Sequence, residues 1–118
     1  MLKSLFSNSI DVPTLRLSGV IGQAGAFRSG LTLNALDTLI DKLFSFKKSP
    51  CVAIIINSPG GSPTQSSLIA EKIISKSKEK KKKVIAFVED VAASGGYWLA
   101  CSADEIFIDQ NSVIGSIG

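Results

Sequence analysis

Short apolar runs alternate along this chain with stretches in which apolar residues recur at every third or fourth position. The run at 51–56 is continuous, which is typical of a strand covered on both faces of a parallel sheet. The three- and four-residue spacing is typical of helices that bury one stripe. We therefore predict alternating elements: strands at 12–21, 51–56, 84–89 and 106–108, and helices at 33–44, from Pro63 into the lysine run 76–83, and at 97–103.

This order of elements predicts the fold class. Repeated β-α units with right-handed crossovers build an α/β layered fold around a mostly parallel sheet. The chain has 118 residues, 45% of them hydrophobic and 19% charged, which suits one folded domain and excludes intrinsic disorder. Residues 112–118 are apolar and spaced by glycine, whereas domains tend to end in exposed polar residues. We expect residues 1–118 to form a single, truncated domain.

The composition excludes several classes of site. The chain contains no His, which removes His-based metal centres and any Ser-His-Asp triad. We expect no metal and no cofactor. The apolar neighbours of Cys51 and Cys101 predict buried thiols in a reducing compartment. No apolar run approaches the roughly 18 residues of a membrane span, and the N-terminus lacks the pattern of a signal peptide. These features predict a cytoplasmic protein.

Positive charge is concentrated in one segment. The net charge is +3, and six of the 13 cations lie between Lys76 and Lys83. Consecutive lysines on a helix spread around its axis, whereas a nucleic-acid binder usually clusters its cations on one face. We predict that this run is a solvated helix end and loop, with no nucleic acid as partner.

The first candidate site is the turn Ser58-Pro-Gly-Gly-Ser62, between a predicted strand and a predicted helix. In open α/β sheets ligands bind outside the carboxyl ends of the strands, and Gly60 and Gly61 free two backbone N–H groups to face an anion. Neither a Walker A loop nor a dinucleotide fingerprint is present. The alternative is a tight turn with a structural role only. The residues that begin the next helix fit a capping box: Ser62, Pro63 and Gln65.

The second candidate site is Ala92-Ala-Ser94-Gly-Gly96, which is similar to a G-x-S-x-G nucleophile elbow with alanine in the first glycine position. Small neighbours let a strained turn hold the Ser94 hydroxyl at the top of the sheet, where the Gly95 N–H faces a developing oxyanion. The alternative is a helix start whose small residues pack closely on the sheet. Together, the two turns contain a nucleophile and two oxyanion donors, the minimum for acyl transfer.

A general base for Ser94 is missing from this pattern. Without His, the proton acceptor must be a carboxylate or a lysine with a depressed pKa. Glu89 and Asp90 precede the turn, but we expect them to point back along the strand or into solvent. The lysines of the run 76–83 belong to the opposite end of the sheet. We therefore expect the base to lie outside this chain.

Five segments together resemble the signal peptide peptidase family of serine peptidases, of the SppA/SohB type. They are Leu17–Gly22, Ile56–Ser62, Phe87–Ala100, Ala103–Ile106 and Val113–Gly118. The resemblance runs from about residue 12 to the end of the chain and is most specific around Ser94. It implies a Clp-protease/crotonase-like fold. It also implies that Ser94 is the nucleophile and that backbone N–H groups of Gly61 (or Gly60) and Gly95 form the oxyanion hole.

The resemblance further implies a Ser-Lys dyad. In single-unit members the lysine follows the Gly-Ser-Ile-Gly segment by several tens of residues. No lysine of this sequence therefore takes that role. We expect the isolated 118 residues to lack peptidase activity. Members assemble into rings, which implies a homo-oligomer that cleaves peptides, unfolded protein or membrane-derived signal peptides. This chain resembles the shorter bacterial type without a membrane span, in the cytoplasm, with peripheral attachment to the inner membrane as an open alternative.

Two other functions stay open. A crotonase-like acyl-CoA enzyme also uses paired backbone N–H groups to hold a thioester oxyanion, but it needs no serine in an elbow, and nothing else in the sequence indicates a CoA site. A non-catalytic scaffold or binding subunit related to the peptidases is the third interpretation. Fluorophosphonate labelling distinguishes them, because only a peptidase would be modified at Ser94.

Overall fold

Five strands and three helices make up residues 11–23 and 30–115, which the computed structural model describes. In chain order they are β1 (Thr14–Ser18), α1 (Leu33–Leu43), β2 (Cys51–Ser58), α2 (Pro63–Lys80), β3 (Lys83–Ala93), α3 (Gly95–Ala100), β4 (Glu105–Ile108) and β5 (Val113–Gly115). The strands form one parallel sheet in the order β1-β2-β3-β4, and β5 also pairs with β3. The prediction of a mostly parallel α/β sheet is confirmed. The end of the resembling segment, 116–118, lies outside the described residues.

The core lies between the helices and one face of the sheet. Successive side chains of a strand point to opposite faces, so the register of β2 and β3 lines up alternate residues of both strands on this face. These residues are buried: Val52, Ile54, Ile56, Val84, Ala86 and Val88. The apolar stripes of the two long helices pack against them through Leu36, Ile40, Leu43, Ile69, Ala70 and Ile73.

The opposite face of the sheet is unevenly covered. Phe87 of β3 and Phe107 of β4 stack there with their ring centroids 5.5 Å apart, yet both side chains remain exposed. The prediction of cover on both faces concerned β2, whose residues on this face are buried at Ala53 and partly buried at Cys51 and Ile55, so the described residues cover that strand in part. An apolar run shows that a strand suits burial, but it does not reveal where the second covering layer comes from.

The start of α2 is fixed by local hydrogen bonds. Ser62 caps the helix by accepting a hydrogen bond from the Gln65 N–H (3.1 Å), and Pro63 is the first helical residue. The predicted capping box is only half formed, because the Ser62 N–H donates to the Ile21 carbonyl (2.8 Å). The Gln65 side chain instead accepts from the Leu33 N–H (2.8 Å). Gln65 thereby ties the first turn of α2 to the first turn of α1.

The strand that precedes Ser94 is longer than predicted. It continues past 84–89 to Ala93, because β5, which the sequence analysis did not predict, pairs with residues 91–93. The following helix α3 begins at Gly95 and ends at Ala100, earlier at both ends than the predicted 97–103. β1 is shorter than predicted and ends at Ser18, because Gly19 takes a positive φ of +103°.

The prediction of buried thiols is wrong. Cys101 is exposed and Cys51 is only partly buried. Cys101 is the C-terminal cap of α3, so its apolar neighbours in sequence turn toward the core while its own side chain faces outward. Cys51 begins β2 on the less covered face of the sheet.

Two neighbouring isoleucines of α2 can be used to test which side of this helix faces the core. Ile73 is fully buried and Ile74 is 38% exposed. Removing the buried side chain leaves a cavity, so Ile73→Ala should lower the free energy of unfolding by about 3 kcal/mol, whereas Ile74→Ala should cost about 1 kcal/mol or less. Urea denaturation of both variants measures the difference. Equal losses would show that α2 does not pack in this orientation.

Candidate active site

Two turns from successive β-α connections meet at the carboxyl ends of β2 and β3. A Cβ atom built on Gly60 would lie 2.8 Å from the Ser94 Cβ and 2.9 Å from the Gly95 backbone nitrogen. Real Cβ atoms do not approach other atoms this closely, so the two turns touch directly through their backbones. Glycine is required at position 60 for this contact and also for its φ of +103°.

Ser94 lies between β3 and α3 in a strained conformation. Its φ of +52° and ψ of −120° belong to a region that residues with a Cβ rarely occupy. Ser94 is the N-cap residue of α3, yet its side chain makes no capping hydrogen bond. The side chain is exposed. The hydroxyl is therefore presented to solvent at the top of the sheet, at the start of a helix, which is where the sequence places it.

β5 holds the strained turn in place. The Ser94 N–H donates to the Gly115 carbonyl (2.7 Å), which continues the pairing of β5 with residues 91–93 of β3. A strained residue persists only when its surroundings determine its conformation. This role was not among the predictions, in which residues 112–118 form an unusual chain end. Their pattern of apolar residues and glycine was the available signal.

The backbone N–H groups of the two turns differ in availability. The Gly60 N–H donates to the Ser58 hydroxyl (3.1 Å), and Gly60 is buried. Gly61 is exposed, and within the described residues its N–H donates no backbone hydrogen bond. The Gly95 N–H is in the first turn of α3, where no intrahelical acceptor exists. Of the two glycines predicted for the Ser58–Ser62 turn, Gly61 is thus the one whose N–H donates no hydrogen bond within the described residues.

The start of α3 packs directly on α2. A Cβ on Gly95 would lie 2.3 Å from the Ser66 hydroxyl oxygen and 3.0 Å from Ile21 Cδ1, so position 95 has no room for a side chain. The Ser66 hydroxyl is itself engaged, since it donates to the Ser62 carbonyl (2.8 Å). This packing holds the Gly95 N–H close to the Gly60 turn.

A bulge in β3 lies immediately before the Ser94 turn. Ile56 of β2 pairs with Val88, but Ser58 already pairs with Ala92, so β3 contains extra residues between these points. The Asn57 side-chain oxygen fills the gap by accepting a hydrogen bond from the Val91 N–H (3.2 Å). Bulges next to active sites often re-aim a side chain. The role of Asn57 was not predictable from the sequence, because a slip in register leaves no mark in the pattern of apolar residues.

The carboxylates near the turn are directed away from the Ser94 hydroxyl. Glu89 forms an ion pair with Arg16 of β1. Asp90 is exposed and lines, with Glu89 and Asp109, a groove of about 260 Å³ beside the bulge. Neither carboxylate has a hydrogen bond to Ser94. Within the described ranges, no group of three or more Cys, Asp or Glu side chains is arranged to hold a metal ion.

Two lysines are held firmly in the charged form. Hydrogen bonds to Asp41 and then to Asp37 raise the pKa of Lys72, and a hydrogen bond to Glu105 raises the pKa of Lys83. Tyr97 of α3 is no better as a base, because a hydrogen bond with the Cys101 side chain raises the pKa of its phenol. A general base needs a lowered pKa when it is a lysine or a tyrosine, so these three side chains are unsuited to the role.

Residues 76–118 match the model of peptidase family S49. Over 109 residues the chain is 49% identical to a Brucella melitensis protein named as the Na⁺/H⁺ antiporter NhaA, a match that covers 92% of this chain and 15% of that protein. It is 35% identical over 121 residues to the chloroplastic serine protease SPPA of Arabidopsis thaliana, covering 89% of this chain and 18% of that protein. Other relatives are named protease 4, SohB and signal peptide peptidase SppA.

The fold is similar to that of ClpP1 from Listeria monocytogenes. The TM-score is 0.60 at 25% identity, and the match covers 77% of this chain and 46% of ClpP1. The chain spans less than a third of the length of the curated relatives it matches. None of the helices in the described ranges combines the length and the apolar character needed to cross a bilayer.

The contact between the two turns can be tested with a matched pair of glycines. Gly19 and Gly60 share a φ of +103°, but a Cβ on Gly19 would meet no atom within 4 Å. Gly19→Ala should therefore cost only the backbone strain, about 1 kcal/mol, whereas Gly60→Ala should cost about 2 kcal/mol more because its Cβ collides with the Ser94 turn. Urea denaturation measures both, and equal costs would contradict the contact.

The role of Asn57 in the bulge can be tested by amide exchange. Asn57→Ala removes the acceptor of the Val91 N–H, and a lost hydrogen bond of about 1 kcal/mol corresponds to roughly fivefold faster exchange at Val91. Asn34→Ala, on the exposed surface of α1, should leave Val91 unchanged. Hydrogen exchange followed by NMR reports both. Unchanged protection of Val91 in Asn57→Ala would rule out the bridging hydrogen bond.

Proposed function

Because the chain belongs to peptidase family S49, in its SppA/SohB type, we propose that it carries the nucleophile and oxyanion hole of a serine endopeptidase. The observation that supports this most directly is the backbone contact between the Gly60 turn and Ser94. It brings an exposed serine in a strained turn beside the backbone of Gly60 and Gly95, and acyl transfer needs a nucleophile next to backbone N–H donors.

In the proposed reaction, the Ser94 oxygen attacks the carbonyl carbon of a peptide bond and its proton passes to a general base. The carbonyl oxygen becomes an oxyanion between the N–H groups of Gly61 and Gly95, with Gly60 shaping the turn. The C–N bond then breaks, the leaving amine takes the proton from the base, and an acyl-Ser94 ester remains. Water, deprotonated by the same base, hydrolyses the ester and regenerates Ser94.

The general base in this proposal is a lysine that these 118 residues do not contain, as the family resemblance implies. The raised pKa values of Lys72 and Lys83 and the ion pair of Glu89 with Arg16 support a base from elsewhere. In serine proteases without a working base, the oxyanion hole and substrate binding still give a rate roughly 10³–10⁴-fold above that of the reaction in water. A reaction this slow is not detected in an ordinary peptide assay.

We propose peptides, unfolded protein or membrane-derived signal peptides as substrates and a homo-oligomer in the cytoplasm as the working form, with peripheral attachment to the inner membrane as an alternative. The ClpP-like fold and the protease-named relatives support a peptide substrate. A crotonase-like acyl-CoA enzyme would use the same pair of N–H donors, but the family and the strained Ser94 favour the peptidase.

Activity should appear only when the base is supplied. A fluorogenic peptide assay is expected to detect no cleavage by the 118-residue chain and clear cleavage by a form extended past Gly118 in the genomic reading frame. Ser94→Ala in the extended form should abolish the activity, whereas Ser75→Ala, on the exposed surface of α2, should retain it. Cleavage by the short chain that depends on Ser94 would show that it already contains, or recruits from a neighbouring subunit, a base.

Fluorophosphonate labelling tests the nucleophile separately. The extended form should be modified at Ser94, the label should be absent from Ser94→Ala, and Ser75→Ala should be labelled normally. An extended form that is folded but not labelled at Ser94 would favour a scaffold or a crotonase-like enzyme over a peptidase.

A further inference from the structure

A lysine-rich surface lies at the end of the sheet where β2 and β3 begin. It combines two segments that are far apart in sequence, the turn after α1 and the end of α2. The Lys82 ammonium donates to the Phe46 carbonyl, and the Lys83 N–H donates to the Pro50 carbonyl (3.2 Å). These contacts bring the two segments side by side. We call this the basic surface; its lysines are Lys47, Lys48, Lys78, Lys80, Lys81, Lys82 and Lys83.

Charge is divided unevenly between the basic surface and the rest of the chain. Residues 46–50 and 78–83 contain seven of the 13 cations and one of the ten anions, a net charge of +6. The remaining residues contain six cations and nine anions, a net charge of −3. The modest overall charge of +3 therefore hides a strongly polarised molecule, with a positive field at one end.

Most of this charge is available to a partner. Lys47, Lys48, Lys78 and Lys81 are exposed, and none of them forms an ion pair with a carboxylate of the described residues. Lys80 and Lys83 are also exposed but pair with Glu79 and Glu105. The basic surface therefore presents at least four uncompensated ammonium groups.

An apolar groove continues directly from the basic surface. Phe46 is 52% exposed and Leu39 is 47% exposed. Because neither side chain is buried in the core, the core does not require an apolar residue at either position. They line a groove of about 200 Å³ between α1 and β1, together with Pro13, Leu15, Lys42 and Leu43. Phe46 belongs to both features, since its side chain lines the groove and its carbonyl accepts from Lys82.

We propose that the basic surface and Phe46 dock the protein on an anionic lipid bilayer. Lysines near such a surface each gain affinity from its negative potential, and an exposed aromatic ring beside them suits the boundary between headgroups and acyl chains. Nucleic acid fits less well, because the groove is apolar and a single phenylalanine offers no row of stacking platforms. The inference does not depend on the peptidase proposal.

Docking in this way orients the candidate active site. Lys83 begins β3 and Ser94 follows its last residue, so a strand rise of about 3.3 Å per residue separates the two ends by roughly 35 Å. The bilayer would then lie against one end of the sheet, and the Ser94 turn would face away from it.

Vesicle sedimentation tests the proposal with the 118-residue chain. The chain should bind vesicles of phosphatidylcholine with about one third phosphatidylglycerol, and should bind pure phosphatidylcholine far more weakly. Binding should be lost between about 0.1 M and 1 M salt, over which the Debye length falls from about 10 to 3 Å. Lys47→Gln/Lys48→Gln and Lys78→Gln/Lys80→Gln should each weaken binding about 30-fold, at roughly fivefold per lysine.

Two further variants separate specific docking from general charge attraction. Gln110→Glu/Asn111→Asp lowers the net charge by the same two units at exposed positions near the other end of the sheet, and it should retain binding. Phe46→Ser should weaken binding roughly tenfold and leave its salt dependence unchanged. Circular dichroism confirms that each variant is folded.

Three results would overturn the proposal. They are equal binding to neutral and anionic vesicles, an equal loss in Gln110→Glu/Asn111→Asp and in the lysine variants, and lysine-dependent binding to duplex DNA that is tighter than binding to anionic vesicles at the same salt. The last result would assign the basic surface to nucleic acid.

Discussion

The close approach of the Gly60 turn to the Ser94 turn is the constraint on which the candidate site depends. It requires glycine at positions 60 and 95, because any side chain there would collide with backbone or with Ser66. It also requires the bulge in β3, since an unbroken register with β2 would aim residue 94 elsewhere. The parallel sheet brings both turns to the same edge, and the glycines and the bulge determine how closely the two turns approach each other.

Much of the fold could be predicted because buried residues recur at regular intervals along strands and helices. The alternation of apolar runs with helical stripes located four of the five described strands and all three described helices, and Ser62 and Pro63 marked the start of α2. What escaped prediction has no such signal. β5 is three residues long, Asn57 acts through one side-chain oxygen, and the second face of the sheet cannot be judged from apolarity alone.

The candidate site was likewise predictable only in part. Ser94 and the glycines were predictable because strained turns favour small residues at particular spacings, and each lies at the predicted edge of the sheet. The different hydrogen bonding of the two glycine N–H groups was not predictable, because it depends on the Ser58 hydroxyl, which accepts from the Gly60 N–H. The same holds for the lysines, whose number was visible in the sequence while their assembly with Phe46 arises only through long-range contacts of Lys82 and Lys83.

The hydrogen bond from the Ser94 N–H to the Gly115 carbonyl also sets an order of assembly. A chain grows from its N-terminus, and its earlier elements can pack as they emerge. β1, β2 and both long helices are complete before β5 exists, and until then the Ser94 N–H has no Gly115 carbonyl to which it can donate. The Ser94 turn therefore gains this hydrogen bond only when β5, the last described element, pairs with the end of β3.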